Sequence, residues 1–474
     1  MNWKTVLRSL KSKDMRKRLL VVLLLFVAYR FLAHVPVPLA EPTQLKDIIE
    51  NVLNQSSLGG FINILSGGAL ANVSIVLVGL SPYITASVIT QLLTKAIPRL
   101  EELHKDGEVG RRKIQQWTRV ITLPLAIVQS IAFIFILRQT VLAGNTTVDI
   151  TSNTSIFQWI VMVGSMTAGA MLLMWLGELI TEQGIGNGMS LLIFAGIISG
   201  LPQMAGSLLA ALGQVPTDAD KLQIFNWFTI PVNATAFWIT LFLAGVGLVA
   251  IYILVKINEA QRIITVNYAK RVQGNRTYGG VTSILPVKLI TAGVIPVIFA
   301  VAFLALPAFL GEVMKASANP TWHNLGLQLV QWFRTPNPAA FAAGDMSTLL
   351  YPTLYFLMVV GFTYFYTSVV FNTSEIAENL QKQGGFIANI RPGHQTERFL
   401  KRTVNRLTLF GSLALGVVAA LPYVFEFAFA KFGFTNIQNL AIGGTGMLIV
   451  ISVALETIRQ VKSRALMVTY DQEY

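Results

Sequence analysis

The sequence predicts an all-α protein that crosses a membrane about ten times, and three observations carry that expectation. Apolar residues fill 53% of the 474 positions and charged residues only 12%, about half the charged share of a soluble domain. The apolar residues gather in long charge-free blocks, each able to hold the roughly 20 helical residues that cross about 30 Å of hydrocarbon. The basic residues fall in every second connection between those blocks, the pattern left by positive-inside insertion.

The first block, Leu19–Ala40, is interrupted only by Arg30. The chain continues as HVPVPLAEP with no small-residue cleavage site, so this block is expected to stay as a permanent first span. The second is Asn72–Thr94. The stretch Ser66–Leu93 reads SGGALANVSIVLVGLSPYITASVITQLL. Val73 to Leu93 carries no charge and reads as a span. Two glycines, an asparagine and a serine stand directly in front of it, where a stable helix would put strong formers. The remaining blocks are Val120–Leu137, Ile150–Gly177, Gln183 to Asp218, Leu222–Val255, Leu289–Gly311, Met346–Ser374, Leu407–Phe425 and Phe432–Leu455. Several carry small residues and breakers, as in GIGNGMSLLIFAGIISGLP, TAGVIPVIFA and AIGGTG. Such interruptions persist in a membrane only where the backbone is buried in protein or lines a cavity.

Charge sets the orientation. The arm through Arg18 holds seven Lys and Arg, Lys95–Arg119 seven, Lys256–Lys288 six, Lys382–Arg406 six, and the tail after Leu455 three. Together these are 29 of the 36 basic residues. Both termini are therefore expected in the cytoplasm, with an even number of spans. The loops near 256–288 and 375–406 exceed what orientation requires. They mix charge with β-branched and turn residues (Ile263, Ile264, Val266, Gly274, Gly279, Gly280), which predicts ordered basic protrusions suited to a large anionic partner.

Several functions fit poorly. Ion-coupled transporters keep ionisable groups at mid-membrane, and here Asp is absent from the spans. Arg30 is the clear exception, and Glu178, Glu182, Glu426 and Glu456 lie near span ends. His34, His104, His323 and His394 are scattered, so no metal cluster is expected. HExxH, GxSxG and Walker A sequences are absent, which argues against a membrane protease or a primary ATPase. No cysteine is present, so the sequence is silent on redox compartment. A secondary transporter with broken helices requires a mid-membrane ion site, for which only Arg30 is offered. A membrane scaffold that binds a large anionic partner accounts for the loops but not for the broken second span.

Longer motifs identify a family. The whole chain resembles SecY, the central subunit of the bacterial protein-conducting channel. FINILSGGALANVSIVLVGLSPYITASVITQLL is similar to that family's plug and second span. ELITEQGIGNGMSLLIFAGIISGLP resembles the junction of its fourth and fifth spans. VNYAKRVQGNR resembles the tip of a cytoplasmic loop, FIANIRPGHQT the next loop, and GGTGMLIVISVALET the last span.

The resemblance implies an all-α polytopic membrane protein with ten transmembrane helices in two pseudo-symmetric five-helix halves, with a plug helix and a lateral gate. A cytoplasmic arm (1–18) precedes an N-terminal half (19–212, spans one to five). The C-terminal half (213–458) and a cytoplasmic tail (459–474) follow. The plug would occupy about 61–72, including Ser66, Gly67, Gly68, Ala69 and Leu70. A weak, glycine-containing helix suits an element that must leave the pore. By match to the family, an apolar pore ring is implied at Leu80, Ile84, Met189, Ile193, Ile298 and Val418. Such a ring closes by dewetting. Leu80 and Met189 stand where the family commonly has isoleucine, and both keep the seal apolar. Gln91 and Asn187 match polar positions at the lateral gate, between spans two and three and spans seven and eight. Lys270, Arg271 and Arg276 match the loop tip that meets motor or ribosome, with Asn275 replacing one arginine of a common pair. Arg391 matches an arginine needed to engage the SecA motor. Arg30 matches a family arginine of span one and is read as structural. The implied partners are small SecE-like and SecG-like membrane subunits, SecA, the ribosome, signal sequences with unfolded preproteins, and anionic lipids. The implied location is the bacterial inner membrane. Neither a cofactor nor an enzymatic activity is implied.

Overall fold

A computed structural model describes residues 13–37, 74–143, 155–213, 221–224, 228–268, 271–273, 276–278, 282–293, 295–315, 319–333, 344–431 and 440–470. Helix dominates, because a backbone inside hydrocarbon must pair its own N–H and C=O groups. In chain order the helices are α1 (Lys13–Leu32), α2 (Ser81–Ala96), α3 (Pro98–Lys105), α4 (Gly107–Ala143), α5 (Ile156–Glu182), α6 (Gly188–Gly213), α7 (Ala234–Glu259), α8 (Ile295–Lys315), α9 (Pro320–Phe333), α10 (Leu350–Val370), α11 (Thr373–Lys382), α12 (His394–Lys431) and α13 (Leu440–Tyr470). Every apolar block of the sequence holds one of them. Among the described residues, six helical stretches are long and apolar enough to cross a membrane: Gly107–Phe135, Ile156–Glu182, Thr240–Glu259, Ile295–Lys315, Met346–Lys382 and His394–Phe425. The 38 residues of α12 extend for about 57 Å. That is well beyond one hydrocarbon thickness, so its charged first turns project past it.

The second apolar block is helical over less of its length than its composition predicts. Val73–Leu93 carries no charge, yet the helix begins only at Ser81, and residues 74–80 run as turns. Gly79 has a φ of 63°, a left-handed conformation that ends any helix before it and that glycine adopts freely. Pro82 then sits in the first turn of α2, where its missing N–H breaks no bond. The turns are held from outside. Ser74 Oγ donates to the Leu32 carbonyl at 2.9 Å and accepts from the Val76 N–H at 3.1 Å. The Ile75 N–H donates to the Val35 carbonyl at 3.0 Å. The expected plug, 61–72 with Ser66, Gly67, Gly68, Ala69 and Leu70, lies outside the described residues.

Contacts divide the chain into two compact units. The first takes Met1–Gly247, Val301–Pro352 and Pro422–Tyr474. Its apolar cluster joins Val37, Leu77, Val78, Phe133, Ile134, Met162 and Met166, with Phe309 packed against them. A capping box starts α5: Ser155 Oγ accepts from the Gln158 N–H, and Gln158 Oε1 from the Ser155 N–H. Further along α5, a Cβ on Gly169 would stand 2.7 Å from the Ile75 carbonyl carbon. The helix therefore touches the 74–80 backbone directly. Arg18 of α1 donates to the Gln183 carbonyl at 3.1 Å, placing a guanidinium at the negative end of α5. Strands β1 (Lys221–Ile224) and β2 (Phe228–Asn233) pair antiparallel between α6 and α7.

The second unit takes Leu248–Ala300 and Thr353–Leu421. Strands β3 (Gln261–Tyr268), β4 (Arg271–Gln273), β5 (Arg276–Tyr278), β6 (Thr282–Lys288) and β7 (Gly385–Ile387) belong to it. β3 pairs antiparallel with β6 and with β7, giving the order β6–β3–β7, and β4 pairs with β5. Alternation along β3 buries Ile264 and Val266. They meet Val287, Ile387, Leu400 and Val404 in one cluster, so the sheet rests on the first turns of α12. The segments expected as ordered protrusions are thus a β-hairpin and a strand added to its edge. Deeper along α12, a Cβ on Gly416 would stand 2.9 Å from the Phe356 ring of α10, so the two helices pack closely at that level.

Candidate functional site

Two groups of residues carry the features expected of a site, one in each unit. In the first unit, Leu80 is the N-cap of α2, and the Ile84 N–H donates to its carbonyl at 3.0 Å. The four-residue spacing puts both side chains on one helix face, and each is only 5% exposed. Met189 and Ile193 repeat the spacing at the start of α6; Ile193 is buried and Met189 half-buried. Polar contacts build the start of α6. Asn187 Oδ1 accepts from the N–H groups of Met189 at 3.1 Å and Ser190 at 3.4 Å, an N-cap arrangement. Thr181 Oγ1 donates to the Gly177 carbonyl at 2.8 Å and accepts from the Gly188 N–H at 2.9 Å. A Cβ on Gly188 would run into the Gly177 carbonyl. Close approach therefore fixes where Met189 stands. In the second unit, Ile298 is buried in the first turn of α8, and Val418 is half-buried on α12. The two pairs in the first unit are each aligned by their own helix.

Polar groups are also buried on α2 and α4. Gln91 Nε2 donates to Ser87 Oγ at 3.0 Å, while its Oε1 is buried without a partner among the described residues. The same holds for Thr85 Oγ1 on α2 and for both amide atoms of Gln129 on α4, and α2 packs along α4. Thr85 and Gln129 were not singled out by the sequence, since a glutamine inside a charge-free block has no distinguishing spacing. Each buried orphan costs about 1–3 kcal/mol. Glu178 has a partner: Arg119 Nε donates to its Oε1 at 2.8 Å, joining α4 to α5.

The second unit presents the basic loop residues. Arg391 is exposed in a turn bounded by two left-handed residues, Asn389 (φ 64°) and Gly393 (φ 93°). Thr396 Oγ1 donates to the Arg391 carbonyl at 3.0 Å, and the Ile390 N–H donates to the Ile387 carbonyl at 3.0 Å. The backbone of the turn is thereby pinned to β7 on one side and α12 on the other. Arg271 and Arg276 lie on β4 and β5, and their neighbours Val272 and Thr277 are register partners. Lys270 lies outside the described residues. On α11, Lys382 bonds Glu378 at 2.7 Å.

Comparison with known proteins follows this geometry. The sequence model of the SecY family matches residues 74–458. The chain is 39% identical over 459 residues to the protein translocase subunit SecY of Streptomyces galbus, covering 96% of each chain. Its fold is similar to the solved structure of a protein conducting channel, with a TM-score of 0.58 and 16% identity, covering 94% of this chain and 91% of that one. It is likewise similar to Sec61 in the canine ribosome-channel complex from the endoplasmic reticulum, with a TM-score of 0.56 and 16% identity over 94% and 91% of the two chains.

Proposed function

The chain belongs to the SecY family, and on that premise we propose that it is the pore subunit of the general secretion channel. In this reading it moves unfolded preproteins across the bacterial inner membrane and releases signal or transmembrane helices sideways into lipid. The observation that carries the proposal is the start of α2. A buried apolar pair, Leu80 and Ile84, opens the helix α2 immediately after a non-helical, glycine-containing segment. A transporter would need an ionisable group there, and a scaffold would need no break.

The rest of the proposed architecture is the one that family membership suggests. Ten spans form two five-span halves, 19–212 and 213–458, with both termini in the cytoplasm. Residues 61–72 plug the closed pore. Leu80, Ile84, Met189, Ile193, Ile298 and Val418 form the ring around the translocating chain. Gln91 and Asn187 belong to the lateral gate, a seam that a hydrophobic signal helix can part. Polar pairs between membrane helices contribute only about 1 kcal/mol, less than the burial of several apolar side chains supplies. SecE-like and SecG-like subunits brace the channel, and anionic lipids surround it. The drive comes from outside the chain, from a SecA motor that hydrolyses ATP or from a translating ribosome. Both press on the basic face formed by Lys270, Arg271, Arg276 and Arg391.

Reversing the charge at Arg391 tests this. The side chain is exposed and its turn is held by backbone contacts, so Arg391→Glu should leave the protein folded and inserted. Motor-driven export of a secretory precursor into inverted vesicles should fall at least tenfold. Export at the normal rate would remove Arg391 from the motor contact.

A further inference from the structure

We propose that the first turns of α12 form a binding site for the phosphate headgroup of an anionic glycerophospholipid, whose acyl chains run down the same face of the helix. The site is an open groove of about 400 Å³ lined by Tyr364, Arg398, Lys401, Arg402, Asn405 and Arg406, with Leu409 at its end. The proposal rests on the membrane-spanning part of the reading above.

Helical spacing separates two faces of α12. Leu400, Thr403, Val404 and Thr408 are buried, two of them in the cluster beneath the sheet. Arg398, Lys401, Arg402, Asn405 and Arg406 lie on the exposed side. None of these four cations has an ion-pair partner among the described residues. On the same helix, Glu397 has His394 Nδ1 at 3.3 Å rather than any of these cations. Glu378 on α11 is taken by Lys382, and the Glu375 carboxylate on α11 accepts from Asn372 Nδ2 at 3.4 Å. Four unneutralised cations around one groove select an anion, and guanidinium forks match phosphate oxygens in pairs.

What selects a lipid is the continuation of the stripe. The charge-free part of the helix begins at Leu407. Beyond it the exposed face becomes apolar at four-residue intervals: Leu409 is 46% exposed, Leu413 42% and Val417 54%, with Phe410 beside them at 68%. A soluble phosphate or an RNA would use only the charged end. An amphiphile with an anionic head and hydrocarbon tails matches the whole stripe. Tyr364 of α10, half-buried at the other wall, has the apolar ring and polar tip found at membrane interfaces.

Native mass spectrometry of the full chain in detergent tests the site with dioleoyl phosphatidylglycerol and dioleoyl phosphatidylcholine as probes. Wild type should retain the anionic lipid at least tenfold more than the zwitterionic one. Arg402→Gln with Arg406→Gln should abolish that preference, and the paired lysine variants should keep part of it. Equal retention by wild type and the glutamine variant would overturn the proposal. Full displacement by glycerol 3-phosphate would also overturn it by making the site one for soluble phosphate, and displacement by an RNA oligonucleotide by making it one for nucleic acid. Retention is read without export, so its loss leaves the channel reading standing. A chain that retains the lipid but exports nothing leaves this site standing.

Discussion

Alanine at Gly169 places a methyl group against a backbone that has nowhere to go. Its Cβ would stand 2.7 Å from the Ile75 carbonyl carbon and 3.2 Å from the Val76 nitrogen, and closer still to the Ile75 oxygen. Ordinary contact begins at 3.4 Å, so α5 and the 74–80 turns must separate by the better part of an ångström. No rotamer change can relieve the contact, because the obstructing atoms are main chain and are tied to Leu32 and Val35 by hydrogen bonds. Overpacking of this kind costs about 1–3 kcal/mol, and 2 kcal/mol changes a folded-to-unfolded ratio by about 30-fold. Because the strained segment leads directly into Leu80 and Ile84, Gly169→Ala should also loosen the closed channel. Two assays read it: the thermal midpoint of the detergent-solubilised protein and the resting ion conductance of reconstituted vesicles. The midpoint should fall and the conductance rise. Gly164 on the same helix is the control, since nothing lies within 4 Å of its Cβ position. Gly164→Ala should gain up to about 1 kcal/mol from helix propensity alone. Equal stability and equal conductance in the two variants would refute the tight contact between α5 and the turns.

Leu400 is fully buried beneath the sheet, so Leu400→Ala should cost about 2–5 kcal/mol locally. Amide exchange in β3 and β6 should quicken by at least tenfold, and unchanged exchange would mean that the sheet does not rest on α12. Deleting residues 61–72 should raise resting ion leak while leaving secretion active, and unchanged conductance would sink the plug assignment.

Much of this architecture was legible because hydrophobic length is a property of composition. Each charge-free block holds a helix, and the β-branched residues at 263–266 mark the hairpin that forms there. The start of α2 was not legible in the same way. Charge absence extends to Val73, but the left-handed Gly79 and the contacts of Ser74 decide where the helix begins, and those contacts come from α1 and the residues after it. Leu80 and Ile84 could not be told from packing residues by composition, and only the family motif singled them out. Gln129 carries no signal in one sequence, since its meaning lies in being buried without a partner. Arg398, Lys401, Arg402 and Arg406 were read only as part of the basic face and of the 375–406 protrusion suited to a large anionic partner. Their spacing, followed by Leu409, Leu413 and Val417 on the same side, was present in the sequence, but its significance depends on which side of α12 the sheet covers.

The central claim is that a polypeptide passes the apolar ring, and site-directed crosslinking in the membrane tests it most directly. The chain has no native cysteine to interfere. One cysteine is placed at Ile84 and another in a stalled secretory precursor. A second channel variant carries its cysteine at Leu24, which is 59% exposed on α1 and faces away from any pore in this account. The account predicts a disulfide at Ile84 and none at Leu24. Failure to crosslink at Ile84, and likewise at Ile193 and Ile298, would mean that these side chains only pack helices together, and the channel reading would fall.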